Sequence, residues 1–202
     1  MLKIEKYIVG PLKTNCYLIE DSISNESAIV DPGGISYEIN KKIKDNQLNV
    51  KYILLTHGHF DHIRKADHYR TLTDSKIVIP YTEKNFLNDP SLNPSPKTSK
   101  CFLQPFQADI LTNNGDILYL GTTPLEVKLT PGHTIGSCCY ISKNFIFTGD
   151  TLMHNCFGRT DFPTGNPDNL KKSIEDLYKI ITDQEILPGH GETFKINNTL
   201  EN

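Results

Sequence analysis

The sequence predicts an α/β protein whose sheets are covered by helices. Three observations lead there. Short, apolar, β-branched runs alternate with amphipathic stretches. Four of those runs lead directly into glycine-punctuated turns that carry histidine or aspartate. At 202 residues, 37% hydrophobic and 22% charged, the chain has the composition of an ordinary globule long enough for one layered unit.

In chain order, the N-terminal residues enter a strand directly, and further strands are expected at 16–19, 28–30, 52–55, 77–79, 125–129, 139–141, 145–147 and 185–187. Ile35, Ile39 and Ile43 recur every four residues, with Lys41, Lys42 and Asp45 on other faces, which predicts a helix. A second helix is expected over 167–181. Asn166 serves as its cap, Pro167 sits in the tolerated first turn, and Leu170, Ile174, Leu177 and Ile181 form an apolar stripe. Residues 89–100 carry three prolines, which disfavour helix and central strand alike. They read as a loop and not a domain linker, because the chemical motifs lie on both sides; one domain over 1–202 is expected.

The formal net charge of −3 gives no reason to expect nucleic acid or an anionic membrane as partner. No apolar run approaches the ~18 residues needed to cross a bilayer, and the N-terminus lacks a secretory h-region. Five cysteines without a Cys-x-x-Cys pair suggest free thiols in a reducing compartment, so a cytoplasmic protein is expected.

Seven residues form a candidate ligand set for two metal ions: His57, His59, Asp61, His62, His133, Asp150 and His190. Imidazole and carboxylate suit divalent zinc, iron and manganese. The 52–55, 125–129, 145–147 and 185–187 strands precede His57, His133, Asp150 and His190 respectively, and ligands at the same ends of neighbouring strands converge on one cleft. In extended chain His57 and His59 project the same way and bind one ion, completed by His133. Asp61, at a helix start, faces a second ion with His62 and His190, and Asp150 bridges the two. Such a pair shares a hydroxide whose pKa is lowered toward ~7.

Thr56-His-Gly-His-Phe-Asp-His62, Thr130-Pro-Gly-His-Thr-Ile-Gly-Ser137, Thr148-Gly-Asp-Thr-Leu152 and Leu187-Pro-Gly-His-Gly191 resemble the successive motifs of the metallo-β-lactamase superfamily, across nearly the whole chain. Gly158-Arg-Thr-Asp-Phe162 resembles its glyoxalase II-like branch, the hydroxyacylglutathione hydrolases. The resemblance implies a four-layer αββα sandwich with two divalent ions, zinc first and iron or manganese as alternatives. It also implies hydrolysis of a small-molecule thioester of the S-lactoylglutathione type by the metal-bound hydroxide. Asp61 then orients that hydroxide or holds its proton, and Arg159 contacts the substrate. The helical C-terminal domain of full-length glyoxalase II has no counterpart after His190, which leaves the thiol open and points to the compact type. The oligomeric state is not legible.

The rival within the superfamily is a persulfide dioxygenase, with one iron on His57, His133 and Asp150. Pro188-Gly-His-Gly191 and Ile135 look more like the hydrolases. A metal-free relative used as a binding module is a further alternative, although no ligand is lost. Asp31 reads as a turn former or as a partner of a ligand histidine. His68 is expected to be exposed, His154 to line the pocket or its rim, Cys156 to be a buried thiol, and Cys138 and Cys139 to be core on one side.

Overall fold

Strand β2 (Thr14–Asp21) shows why the chain stacks in layers. Cys16 and Leu18 enter one core, Tyr17 and Ile19 another, and all four are buried. Successive side chains of a strand face opposite ways, so a strand apolar on both faces needs cover on both. The computed structural model, which describes residues 2–93 and 104–196, supplies that cover: two six-stranded sheets packed face to face, with helices outside each.

The first sheet follows chain order: β1 (Leu2–Val9), β2, β3 (Glu26–Val30), β4 (Asn49–Leu54), β5 (Lys76–Pro80) and β6 (Ile110–Thr112). Its first three strands are antiparallel, and β3 to β6 are parallel. The second sheet contains β7 (Ile117–Leu120), β8 (Thr123–Leu129), β9 (Cys138–Ile141), β10 (Phe145–Gly149), β11 (Glu185–Pro188) and β12 (Phe194–Lys195), again in sequence order. Within it β10 and β11 run parallel and the other pairs antiparallel.

Helices α1 (Tyr37–Asp45), α2 (Phe60–Ile63) and α3 (Ala66–Thr73) contribute Ile39, Ile63, Ala66 and Tyr69 to the cluster over the outer face of the first sheet. Helix α4 (Pro167–Ile180), with Ile181 at its end, covers the second sheet through contacts to Cys139, Ile146 and Ile186. Between the sheets Tyr17, Ile19, Val30, Leu54, Val127, Tyr140, Phe147 and Leu187 form the central layer. This is the expected αββα sandwich. No helix among the described residues is long and apolar enough to cross a membrane.

Several local expectations need correction. Ile35 lies outside α1 and is 51% exposed. The helix starts after Ser36, whose hydroxyl accepts from the Ile39 amide at 3.2 Å, a cap that isoleucine cannot provide. Cys138 and Cys139 are buried on opposite faces of β9, one between the sheets and one beneath α4. Cys156 is exposed, because it closes a tight hairpin paired with Met153 and carrying Asn155 at φ 60°. The predicted α4 cap holds: the Asn166 side chain accepts from the Asn169 amide at 2.9 Å. Of the proline-rich loop, residues 89–93 form turns and residues 94–100 lie outside the described residues.

Candidate metal centre

The loops that follow β4, β8, β10 and β11 meet at one end of the sandwich. They bring together three groups whose ligand atoms lie within 4.8 Å of one another: His57, His59 and His133; His57, His62 and Asp150; and Asp61, His62 and His190. Asp150 stands between the first and last of these. Its carboxylate lies 3.5 Å from His133 Nε2, 3.5 Å from His62 Nε2 and 3.7 Å from His190 Nε2. His59 Nδ1 faces His133 Nε2 at 2.9 Å, and Asp61 Oδ2 lies 3.2 Å from His190 Nε2. All seven predicted ligands therefore belong to one cluster.

Four buried atoms in this cluster, His57 Nε2, His59 Nε2, His62 Nε2 and Asp150 Oδ1, have no hydrogen-bond partner. Buried polar atoms are almost always bonded, so such a concentration of orphans fits a cation-binding cradle. The charges fit too. Burial, then the neighbouring imidazoles, push His57 well below the usual histidine range and His59 to about 3, so both stay neutral with lone pairs available. For His62 burial opposes charging, but Asp61, Asp150 and Asp31 outweigh it and hold the ring up at about 10. His190 is likewise raised: burial opposes, and Asp61 and Asp150 prevail. Asp61 is held below the usual carboxylate range, against burial, by His62 and His190. Protons on imidazole thus balance the carboxylates, a task a divalent cation also performs.

The rings are oriented from behind. Thr56 Oγ1 gives its hydrogen to Asp31 Oδ2 (2.7 Å) and therefore accepts from His57 Nδ1 (3.1 Å). His62 Nδ1 donates to Asp31 Oδ2 at 3.0 Å, and His133 Nδ1 donates to the Arg159 carbonyl at 2.7 Å. In His57 and His62 the nitrogen that faces the cluster is left without a hydrogen-bond partner, while His133 turns Nε2 inward against His59 Nδ1. Asp31 meets both sequence readings at once: it turns the chain at φ 49° and holds a ligand histidine. Replacing Asp31 with alanine is expected to weaken metal binding ~10–100-fold, measured by competition with a chromophoric chelator. Affinity equal to the wild type would remove Asp31 from the support.

Close approach is built into the loops. A Cβ on Gly189 would meet Asp150 Oδ1 at 2.3 Å and His62 Cε1 at 2.6 Å, so only glycine leaves room for the cluster. Gly132 combines φ 137° with a Cβ position 2.2 Å from the Leu170 amide of α4.

Sequence reasoning missed the residues that tie these loops together. The buried Glu83 accepts from the Gly58 amide (2.8 Å) and the Gly136 amide (2.7 Å), joining the His57–His59 loop to the His133 loop. Asn93 accepts from the Phe60 amide and donates to the Gly58 carbonyl. Asn15 and Tyr17 of the first sheet donate to the Pro188 carbonyl, and Asn15 also to that of Gly191, so they clasp the His190 loop. A polar Asn15 directly before the apolar run Cys16–Ile19 was the one visible signal.

A cavity of about 380 Å³ opens over the cluster, lined in part by Leu12, Phe60, Met153, Phe157, Arg159 and Phe162. The Arg159 side chain is exposed, pairs with both oxygens of Asp161 at 2.6 Å and stacks on the Phe162 ring at 3.9 Å. His68 is exposed, as expected. His154 lies beside a separate cavity and stacks on Phe194.

The model of the metallo-beta-lactamase superfamily matches residues 9–190. The chain belongs to the metallo-β-lactamase superfamily. It is 37% identical over 196 residues to a probable metallo-hydrolase, YqgX, of Bacillus subtilis, covering 94% of this chain and 90% of that one. It is 34% identical over 194 residues to the hydroxyacylglutathione hydrolase GloC of Haemophilus influenzae, covering 94% and 91%. Among solved structures, that of the BLEG-1 B3 metallo-β-lactamase superposes with a TM-score of 0.88 at 32% identity, covering 96% of this chain and 94% of that one. Members of this superfamily bind divalent metals, and the His/Asp cluster is where this member offers ligands.

Proposed function

We propose that this metal-dependent hydrolase of the metallo-β-lactamase superfamily is a dinuclear thioester hydrolase of the glyoxalase II type. The observation that carries the dinuclear reading is the pair of triads, His57–His59–His133 and Asp61–His62–His190, with Asp150 between them and four orphaned buried atoms facing inward. These residues would hold two divalent ions, zinc first, with iron or manganese equally compatible with the donor set. When bound, the ions supply Lewis acidity toward a carbonyl oxygen and lower the pKa of water toward ~7.

The chain's own groups do the rest. Asp61 is fixed by the Thr14 hydroxyl (3.2 Å) and His190, so its ionised carboxylate is placed to accept a hydrogen bond from a water and orient it. Leu12, Phe157 and Phe162 screen the site from bulk water. A thiolate is a good enough leaving group to depart without a dedicated acid. The similarity to GloC and the Gly158-Arg-Thr-Asp-Phe162 segment support thioesters as the substrate class.

The test is metal content per chain by elemental mass spectrometry, with anaerobic S-lactoylglutathione hydrolysis before and after chelation. Close to two metals, thiol release, loss of activity on chelation and recovery on adding metal are expected. One iron per chain, no hydrolysis, and oxygen uptake with glutathione persulfide would replace this reading with the dioxygenase.

A further inference from the structure

The cavity over the metal cluster is poorly suited to glutathione. That tripeptide carries two carboxylates, which proteins recognise with free arginine or lysine donors. Among the described residues lining the cavity, Arg159 is the one arginine or lysine, and its Nε and Nη2 are already paired with both oxygens of Asp161, which offsets its charge. The mouth is instead apolar: Leu12 is 46% exposed and Phe157 63% exposed, with Met153 and Phe162 beside them. Large apolar side chains clustered at the surface around a cleft mark a contact surface.

The apolar wall does not end there. Met153 and Phe157 also line a second cavity of about 760 Å³, whose further walls are Leu170, Ile174 and Tyr178 of α4 and Phe194. His154 stacks on Phe194 and extends that aromatic floor. The charges at its rim, Lys171, Lys195 and Glu175, are of mixed sign and select no strongly charged ligand.

We infer that the preferred substrate is a thioester with an extended apolar arm that leaves the metal cluster across Met153 and Phe157 and lies in the second cavity against α4. The inference rests on the thioesterase reading and narrows its substrate. The arm is either the acyl chain or the thiol chain, since both diverge from the same carbonyl.

Two substrate series distinguish them: straight acyl chains of two to eight carbons on N-acetylcysteamine, and acetyl esters of alkyl thiols of the same lengths. In one series kcat/KM is expected to rise about fourfold per added methylene over the first few carbons, the transfer value for a fully buried group. The best member should exceed S-lactoylglutathione. Cys156→Arg sets a charge in the second cavity from an exposed position, and Tyr178→Glu does so from a half-exposed one. Each is expected to bring the ratio of longest to shortest substrate close to one. Calorimetric binding of 1-octanol to the wild type, lost in both variants, reads the cavity without turnover. Flat length dependence in both series, or S-lactoylglutathione as the best substrate, overturns the inference. If no thioester is cleaved, the thioesterase reading fails, and the calorimetry alone decides whether the cavity binds an apolar chain; absence of heat then ends that proposal as well.

Discussion

Replacing Asp150 with alanine is expected to lower kcat/KM for thioester hydrolysis by ~10³-fold, equivalent to ~4 kcal/mol of lost transition-state stabilisation. The size follows from position. Among the described residues, Asp150 is the one whose carboxylate is within 3.7 Å of imidazoles from both triads, His133 on one side and His62 and His190 on the other. Removing it takes away the carboxylate shared by both triads and leaves Asp61, on one side only, to balance bound cations, so the effect extends past one contact to both halves of the cluster. Metal content should fall below two per chain in parallel with activity. His68→Ala is the control: that ring is exposed on α3, and its aromatic contact is edge-on to Tyr69. An Asp150→Ala enzyme with near wild-type turnover and two metals would remove Asp150 from the centre.

The seven candidate ligands were legible because their chemistry is local and their loops follow short apolar strands. Each of β4, β8, β10 and β11 ends within four residues of a ligand, and each carries the apolar run that identified it. Helix α4 was legible for the same kind of reason, since cap and stripe are both sequence-local. Elements that depend on distant partners were not. Strand β7 alternates exposed and buried residues over only four positions, and β6 is three residues long, so neither stands out from loop. Cys156 was misjudged because a hairpin turn, not side-chain hydrophobicity, decides its exposure. Arg159 was singled out for its side chain, yet its carbonyl is what orients His133. A backbone acceptor has no sequence signature at all.

Glu83 is the sharpest case of the same limit, because the amides it binds lie 25 and 53 positions away in sequence. Glu83→Ala is expected to destabilise the fold by ~3 kcal/mol, as two buried amides lose their acceptor and a void opens against the ligand loops. Urea denaturation of the chelated protein measures it. The conservative Glu83→Gln separates charge from packing. Burial pushes the Glu83 carboxyl up from its ordinary 4.5 to about 7, against the Thr134 hydroxyl and the Gly58 and Gly136 amides, which favour the ionised form. A carboxyl raised in the folded state holds its proton more tightly there than in the unfolded chain. Its contribution to stability is therefore full below pH ~4.5 and is lost as pH rises through ~7. Between pH 5 and pH 8 the wild type is expected to lose about 2–3 kcal/mol more stability than Glu83→Gln, whose amide does not titrate. Parallel pH profiles would mean that the three donors keep Glu83 ionised throughout. In that event the join between the His57–His59 and His133 loops rests on a buried carboxylate, and glutamine, with an amide opposing an amide, should cost nearly as much as alanine at every pH.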